Sequence, residues 1–151
     1  LERRMPPWNA VKGFGEFKDD RGLTQEDLEI VGEWVEGGAP EGNPLYMPPP
    51  PELSADRDES PGPQRRLDVS GSKVITHAVN AIGIEPNQVP ATGALQVVAR
   101  RPDGAVEPLI WIENFNSAYK KTYYFQDLLR FPAGTRIEVS PPQGSVALVV
   151  K

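Results

Sequence analysis

Residues 94–139 read ALQVVARRPDGAVEPLIWIENFNSAYKKTYYFQDLLRFPAGTRIEV, the densest run of apolar and aromatic residues in the chain. Leu95, Val97 and Ala99 alternate with Gln96 and Arg100, the two-residue period of a strand with one buried face. Arg101-Pro102-Asp103-Gly104-Ala105 then supplies a turn, because Pro fixes φ and Gly accepts the positive φ that closes it. The return segment Leu109-Ile110-Trp111-Ile112 is apolar at every position, as expected of a strand covered on both faces. Tyr119, Tyr123, Tyr124 and Phe125, beside Lys120 and Lys121, read as core and edge residues at strand spacing. Pro132-Ala133-Gly134 turns the chain into Thr135, Ile137 and Val139, which alternate with Arg136 and Glu138.

Working outward, residues 73–84 carry a strand pattern with either Val74, Ala78 and Ile82 or Ile75, His77, Val79 and Ala81 facing inward. Residues 86–93 read as a loop. Pro141-Pro142-Gln143-Gly144 is a turn, and Val146, Leu148 and Val150 form a last strand. About six strands with hairpin connections predict a mainly β protein, a small antiparallel β-sandwich or partial jelly roll, over residues 67–151. In front of it stands an arm, residues 1–43, with one short helix, and a proline-rich linker, residues 44–66.

Within the arm, Met5-Pro6-Pro7-Trp8 is extended, because consecutive prolines lack N–H donors and force the preceding residue out of helical geometry. Gly13-Phe14-Gly15-Glu16-Phe17 is irregular chain. Thr24 reads as an N-cap with Glu26 and Asp27 in the first turn. Leu28, Val31, Trp34 and Val35 share one face of a helix over about residues 25–36, stopped by Gly37, Gly38 and Pro40. A helix of about three turns is marginal alone, and Trp8, Phe14 and Phe17 are the nearest residues for it to pack on. Beyond it, Pro44, Pro48, Pro49, Pro50, Pro51, Pro61 and Pro63, mixed with Asp56, Asp58 and Glu59, predict extended polyproline geometry from Met47 to Pro51. Tyr46 and Met47 are its anchors for a partner.

The 151 residues suit one ordinary domain or a small domain with an appendage. There is no Cys and one His, His77. Thiol catalysis, disulfides, iron–sulfur clusters and covalently attached haem therefore have no ligand in these residues, and a multi-histidine metal site cannot be assembled around His77. Residues 1–66 hold 8 Lys and Arg against 14 Asp and Glu, whereas residues 67–151 hold 8 against 7. Neither half has the cation surplus that nucleic acid requires. Asp19-Asp20 and Asp56/Asp58 sit in turn or linker chemistry, where carboxylates stay solvated. No apolar run approaches the length of a membrane span. The first residue is Leu1, which suggests a processed or trimmed chain with room upstream for a targeting or anchoring segment.

Residues 1–44 resemble the C-terminal half of a bacterial c-type cytochrome domain, through Arg4-Met5-Pro6-Pro7-Trp8, Gly13-Phe14-Gly15-Glu16-Phe17, Leu23-Thr24 and the run from Ile30 to Gly42. Residues 95–139 look like the last part of the copper, ascorbate-dependent monooxygenase-like β domain that follows such modules in large secreted proteins. Pro102-Asp103-Gly104, Leu109-Ile110-Trp111-Ile112, Phe115-Asn116, Thr122-Tyr123 and the run from Leu129 to Val139 carry this second likeness. The resemblance places Met5 where the family's axial haem ligand stands, making it the one cofactor-binding candidate. The Cys-x-x-Cys-His attachment motif and the copper histidines are missing.

The expectation is therefore a protein without catalytic residues, cofactor or metal. It would be an accessory subunit on the extracytoplasmic face of a membrane electron-transfer complex, photosynthetic or respiratory, located in the periplasm and peripheral to the membrane. Its partners would be protein subunits, met through Met5, Pro6, Pro7, Trp8, Tyr46, Met47, Pro48 and Pro49. The alternative is the C-terminal fragment of a haem- or copper-dependent secreted oxidoreductase. A third reading is a carbohydrate- or peptide-binding sandwich, for which an exposed Trp111 or Tyr123 is the sign.

Overall fold

The structure is a computed structural model that describes residues 8–18, 20, 22–49 and 64–151. Two compact units divide the chain: Leu1–Gly22 together with Pro63–Lys151, and the inserted segment Leu23–Gly62. This division differs from the arm, linker and sandwich expected from the sequence. The arm's irregular first part belongs with the β-strands, and the segment from Leu23 to Gly62 forms a unit of its own.

The first unit is mainly β, with eight strands in two antiparallel sheets among its described residues. They are β1 (Arg65–Ser70), β2 (Ser72–Val74), β3 (Val79–Gln88), β4 (Leu95–Arg100), β5 (Val106–Ile112), β6 (Tyr123–Phe131), β7 (Arg136–Ser140) and β8 (Ser145–Val150). One sheet has the order β1-β8-β3-β6 and the other β2-β7-β4-β5. Strands β4 and β5 pair across the turn at 101–105, then β3 pairs with β6, β2 with β7 and β1 with β8. This is one long hairpin rolled into two sheets, the jelly-roll arrangement. The turn at its tip forms as expected: Arg101 N–H donates to the Ala105 carbonyl at 2.8 Å and Gly104 takes φ 89°.

Alternation places the core. Leu95, Val97 and Ala99 point inward from β4, and Ile137 and Val139 from β7, with Thr135 buried at the entry to β7. Between β4 and β5 the register shifts, because Val97 faces Ile110 and Val98 faces Pro108, leaving Leu109 as the extra residue. Proline has no N–H for the ladder, so a bulge beside it costs little. Leu109, Ile110 and Ile112 are all buried.

The strand count exceeds the six expected. Strand β1 starts at Arg65, inside the stretch read as linker, and β3 runs to Gln88, two residues past the expected loop start at Pro86. Pro86 is tolerated because it sits at a second register shift, against Val146 of β8. His77 is exposed in the bend between β2 and β3, where its Nδ1 lies 2.9 Å from the Thr76 hydroxyl, and so is no strand residue.

Candidate partner-binding surface

Trp8, Phe14 and Phe17, expected under the helix, instead complete the sandwich. Residues 8–18 cross from one sheet to the other along their outermost strands, β5 and β6. Val11 N–H donates to the Trp111 carbonyl at 2.7 Å and Glu113 N–H to the Asn9 carbonyl at 3.2 Å. At the other end Lys18 N–H donates to the Tyr124 carbonyl and Gln126 N–H to the Glu16 carbonyl, both at 2.8 Å. Ala10 bridges Ile112 and Phe17 bridges Phe125. Two open sheet edges, each a row of unpaired backbone groups, are thus covered in part by one strap. The bend between its two ends uses Gly13 and Gly15, both at positive φ. At Gly15 a β-carbon would also run into the carbonyl oxygen of Leu109.

The strap's aromatic side chains fix it. Trp8 packs edge-on against Tyr123 with centroids 5.2 Å apart, Phe17 stacks on Phe125 at 5.7 Å, and Phe14 meets Trp111 edge-on at 4.6 Å. Lys121 Nζ lies 4.0 Å above the Trp8 ring. Trp8 is half-buried and leaves only part of its ring exposed. Met5, Pro6 and Pro7 lie outside the described residues. Trp111 and Tyr123, the two rings on which a carbohydrate or peptide site would rest, are occupied by Phe14 and by Trp8 and Phe17.

The other expected anchors lie in the unit Leu23–Gly62. Its helix α1 (Gln25–Glu36) starts as the sequence predicts: the Thr24 hydroxyl accepts from Asp27 N–H at 3.0 Å, and Thr24 N–H donates to the Asp27 carboxylate at 2.8 Å. It ends with Gly38 in the left-handed region while Ala39 N–H reaches back to the Trp34 carbonyl at 2.9 Å. The side-chain N–H of Trp34 donates to the Pro40 carbonyl at 3.1 Å. Despite both caps the helix buries no residue, and Ile30, Val31, Trp34 and Val35 are each more than half exposed.

After the helix, Asn43 caps a short turn, Pro44–Tyr46, by accepting from Leu45 N–H at 3.0 Å. Met47 then leaves it at φ −65°, ψ 123°, close to polyproline geometry. Leu45, Tyr46 and Met47 are 88%, 85% and 73% exposed, and Pro48 and Pro49 are exposed beside them. Pro50, Pro51, Asp56 and Asp58 lie outside the described residues. Tyr46 and Met47 are anchors expected from the sequence. Leu45 and Ile30 are exposed as well, without having been expected as anchors.

The resemblance implies haem and copper, and the residues do not fit either group. Covalent haem needs cysteines that this sequence lacks. Copper needs several imidazoles converging, whereas His77 stands on an exposed bend and no cluster of three His, Cys, Asp or Glu occurs among the described residues. The best-enclosed carboxylate, Glu85, is an ion-pair centre: Arg66 approaches it at 3.0 Å, Lys120 at 3.4 Å and the Thr122 hydroxyl at 3.1 Å. The chain matches no protein-family model, no curated protein and no solved structure. Among the described residues no helix is long and apolar enough to cross a membrane.

Proposed function

We propose that this chain is a non-catalytic accessory subunit, bound to the extracytoplasmic face of a membrane electron-transfer complex, photosynthetic or respiratory. The observation that carries the reading is the unit Leu23–Gly62, whose helix is well capped yet keeps its apolar side chains outside, followed by the exposed triplet Leu45-Tyr46-Met47. Exposed aliphatic and aromatic side chains gathered in one small module mark a protein-interaction surface. The electron-transfer setting rests on the cytochrome-like segments of the sequence. The non-catalytic part rests on the lack of fit to haem and copper.

Size-exclusion of a mild detergent extract from the natural source, with absorbance from 350 to 900 nm recorded in line, tests it. The expected outcome is elution within a large pigmented or haem-bearing complex, the isolated polypeptide being colourless. Elution near 16.6 kDa would refute the reading.

The same exposed helix face also favours a second reading, the C-terminal fragment of a haem- or copper-dependent secreted oxidoreductase. In that case the missing cytochrome half covers Leu28, Val31, Trp34 and Val35. The intact mass of the natural polypeptide decides between the two, a fragment belonging to a far heavier chain.

A further inference from the structure

We infer that the unit Leu23–Gly62 docks onto a cationic protein surface with an apolar centre, a statement that rests on the accessory-subunit reading and specifies its partner. The charge of the chain is divided along the boundary between its units. Leu23–Gly62 contains ten Asp and Glu against the single cation Arg57, net −9, whereas the other residues contain 15 Lys and Arg against 11 Asp and Glu, net +4. The described part of the acidic unit, residues 23–49, has no Lys, Arg or His at all.

On α1 the two chemistries are sorted by face. At 100° per residue, Ile30, Trp34, Val31, Val35 and Leu28 cover one side, interrupted by Asp27, whose carboxylate is taken up by Thr24 in the cap. Glu26, Glu29, Glu33 and Glu36 occupy the opposite side, with Glu26 next to Ile30 at one edge of the apolar stripe and Glu36 nearest Leu28 at the other. Of these, Glu29, Glu33 and Glu36 work against the helix itself, whereas Glu26 stands in the first turn, where the macrodipole favours it. Glu29 and Glu33 are like charges four residues apart, and Glu33 and Glu36 stand at the C-terminal end, where the macrodipole repels anions and no basic residue offsets it.

The sandwich manages its acids differently. Glu85, Glu107 and Glu138 each have a cation within 3.0 Å, from Arg66, Arg101 and Arg100 respectively. A helix that keeps self-destabilising carboxylates around an uncovered apolar stripe is suited to a partner that brings both missing components. Those are cations for the rim and apolar side chains for the centre. An anionic lipid surface or a nucleic acid is repelled by the same charge.

The test uses salt-washed membranes of the natural source, stripped of the native chain, and measures rebinding of the full-length chain at several salt concentrations. The comparison variant is E29Q/E33Q/E36Q. Rebinding of the unaltered chain should weaken steeply with salt. The variant should be more helical by circular dichroism and yet rebind roughly tenfold more weakly, with a shallower salt dependence. A photo-crosslinker at position 30 or 46 should join the chain to a partner peptide rich in Lys and Arg.

A variant that rebinds as well as the unaltered chain, or crosslinks to an acidic peptide, overturns the cationic partner and leaves the accessory role standing. Failure of the unaltered chain to rebind overturns both. Rebinding that survives protease treatment of the membranes identifies lipid as the partner and overturns the inference.

Discussion

Tyr123 shows how one residue can be misread when only its neighbours in sequence are known. In the run Thr122-Tyr123-Tyr124-Phe125 nothing distinguishes it as the innermost ring, yet it is buried beneath Trp8 and Phe17. Its hydroxyl and the side-chain nitrogen of Asn9 are both buried without a hydrogen-bond partner. Burial pushes the hydroxyl's pKa above its ordinary value of 10, and Asn9, beside it but short of hydrogen-bond geometry, partly offsets the shift. Well below pH 10 the phenol is neutral in folded and unfolded chains alike, so its ionisation contributes nothing to stability there. As pH rises from 10 towards the raised folded value, only the unfolded chain loses the proton, so stability falls. Tyr123→Phe should therefore be neutral or stabilising by up to about 1 kcal/mol at pH 7, since it removes an unsatisfied buried hydroxyl. It should also lessen the alkaline loss. Urea denaturation of both proteins at pH 7 and at pH 10.5 measures this, and a steeper alkaline loss in Tyr123→Phe would contradict the burial argument.

At the scale of elements, the strap and the helix are two neighbouring segments with opposite fates. Both carry aromatic residues in the first third of the chain, and by composition they look alike. The strap gains backbone hydrogen bonds from two sheet edges and puts Phe17 into the core. The helix satisfies its own backbone and so can leave Trp34 more than half exposed. Phe17→Ala should accordingly destabilise the sandwich by about 3–5 kcal/mol. Trp34→Ala should leave it within about 0.5 kcal/mol. Equilibrium unfolding followed by the near-ultraviolet signal of the sandwich aromatics separates the two, and equal losses would show that the strap is no more integral than the helix.

For the whole molecule, the insertion of an acidic unit between a strap and the first strand means that folding and docking can be separated. A deletion of residues 1–63 removes the strap together with the docking unit and so tests folding. Replacing residues 23–62 by a Gly/Ser linker of equal length keeps both edges covered. That chain should unfold at the same temperature as the parent, within about 2 °C, and should no longer rebind salt-washed membranes. Retained rebinding would place the docking surface on the sandwich, and a large drop in the unfolding temperature would show that the inserted unit supports the β-strands.

Local chemistry determined a good part of this protein. Alternation from Leu95 to Ala99 and from Thr135 to Val139, the Pro-Asp-Gly turn and the Thr24 cap are each decided by neighbouring residues, so strands, turn and helix start were legible in the chain. The same holds for covalently attached haem and a multi-histidine copper site, which one histidine and no cysteine exclude from these residues by composition alone. Pairing over long separations was not legible. That Arg65 begins a strand depends on Val150 opposite it, and that Pro86 is tolerated inside one depends on a bulge against β8. Trp8, Phe14 and Phe17 are committed to the sandwich because β5 and β6 offer unpaired edges and apolar rings more than ninety residues away. Only the tertiary structure brings these groups together, and only then is it decided which aromatic residues are used up in the fold and which are left exposed.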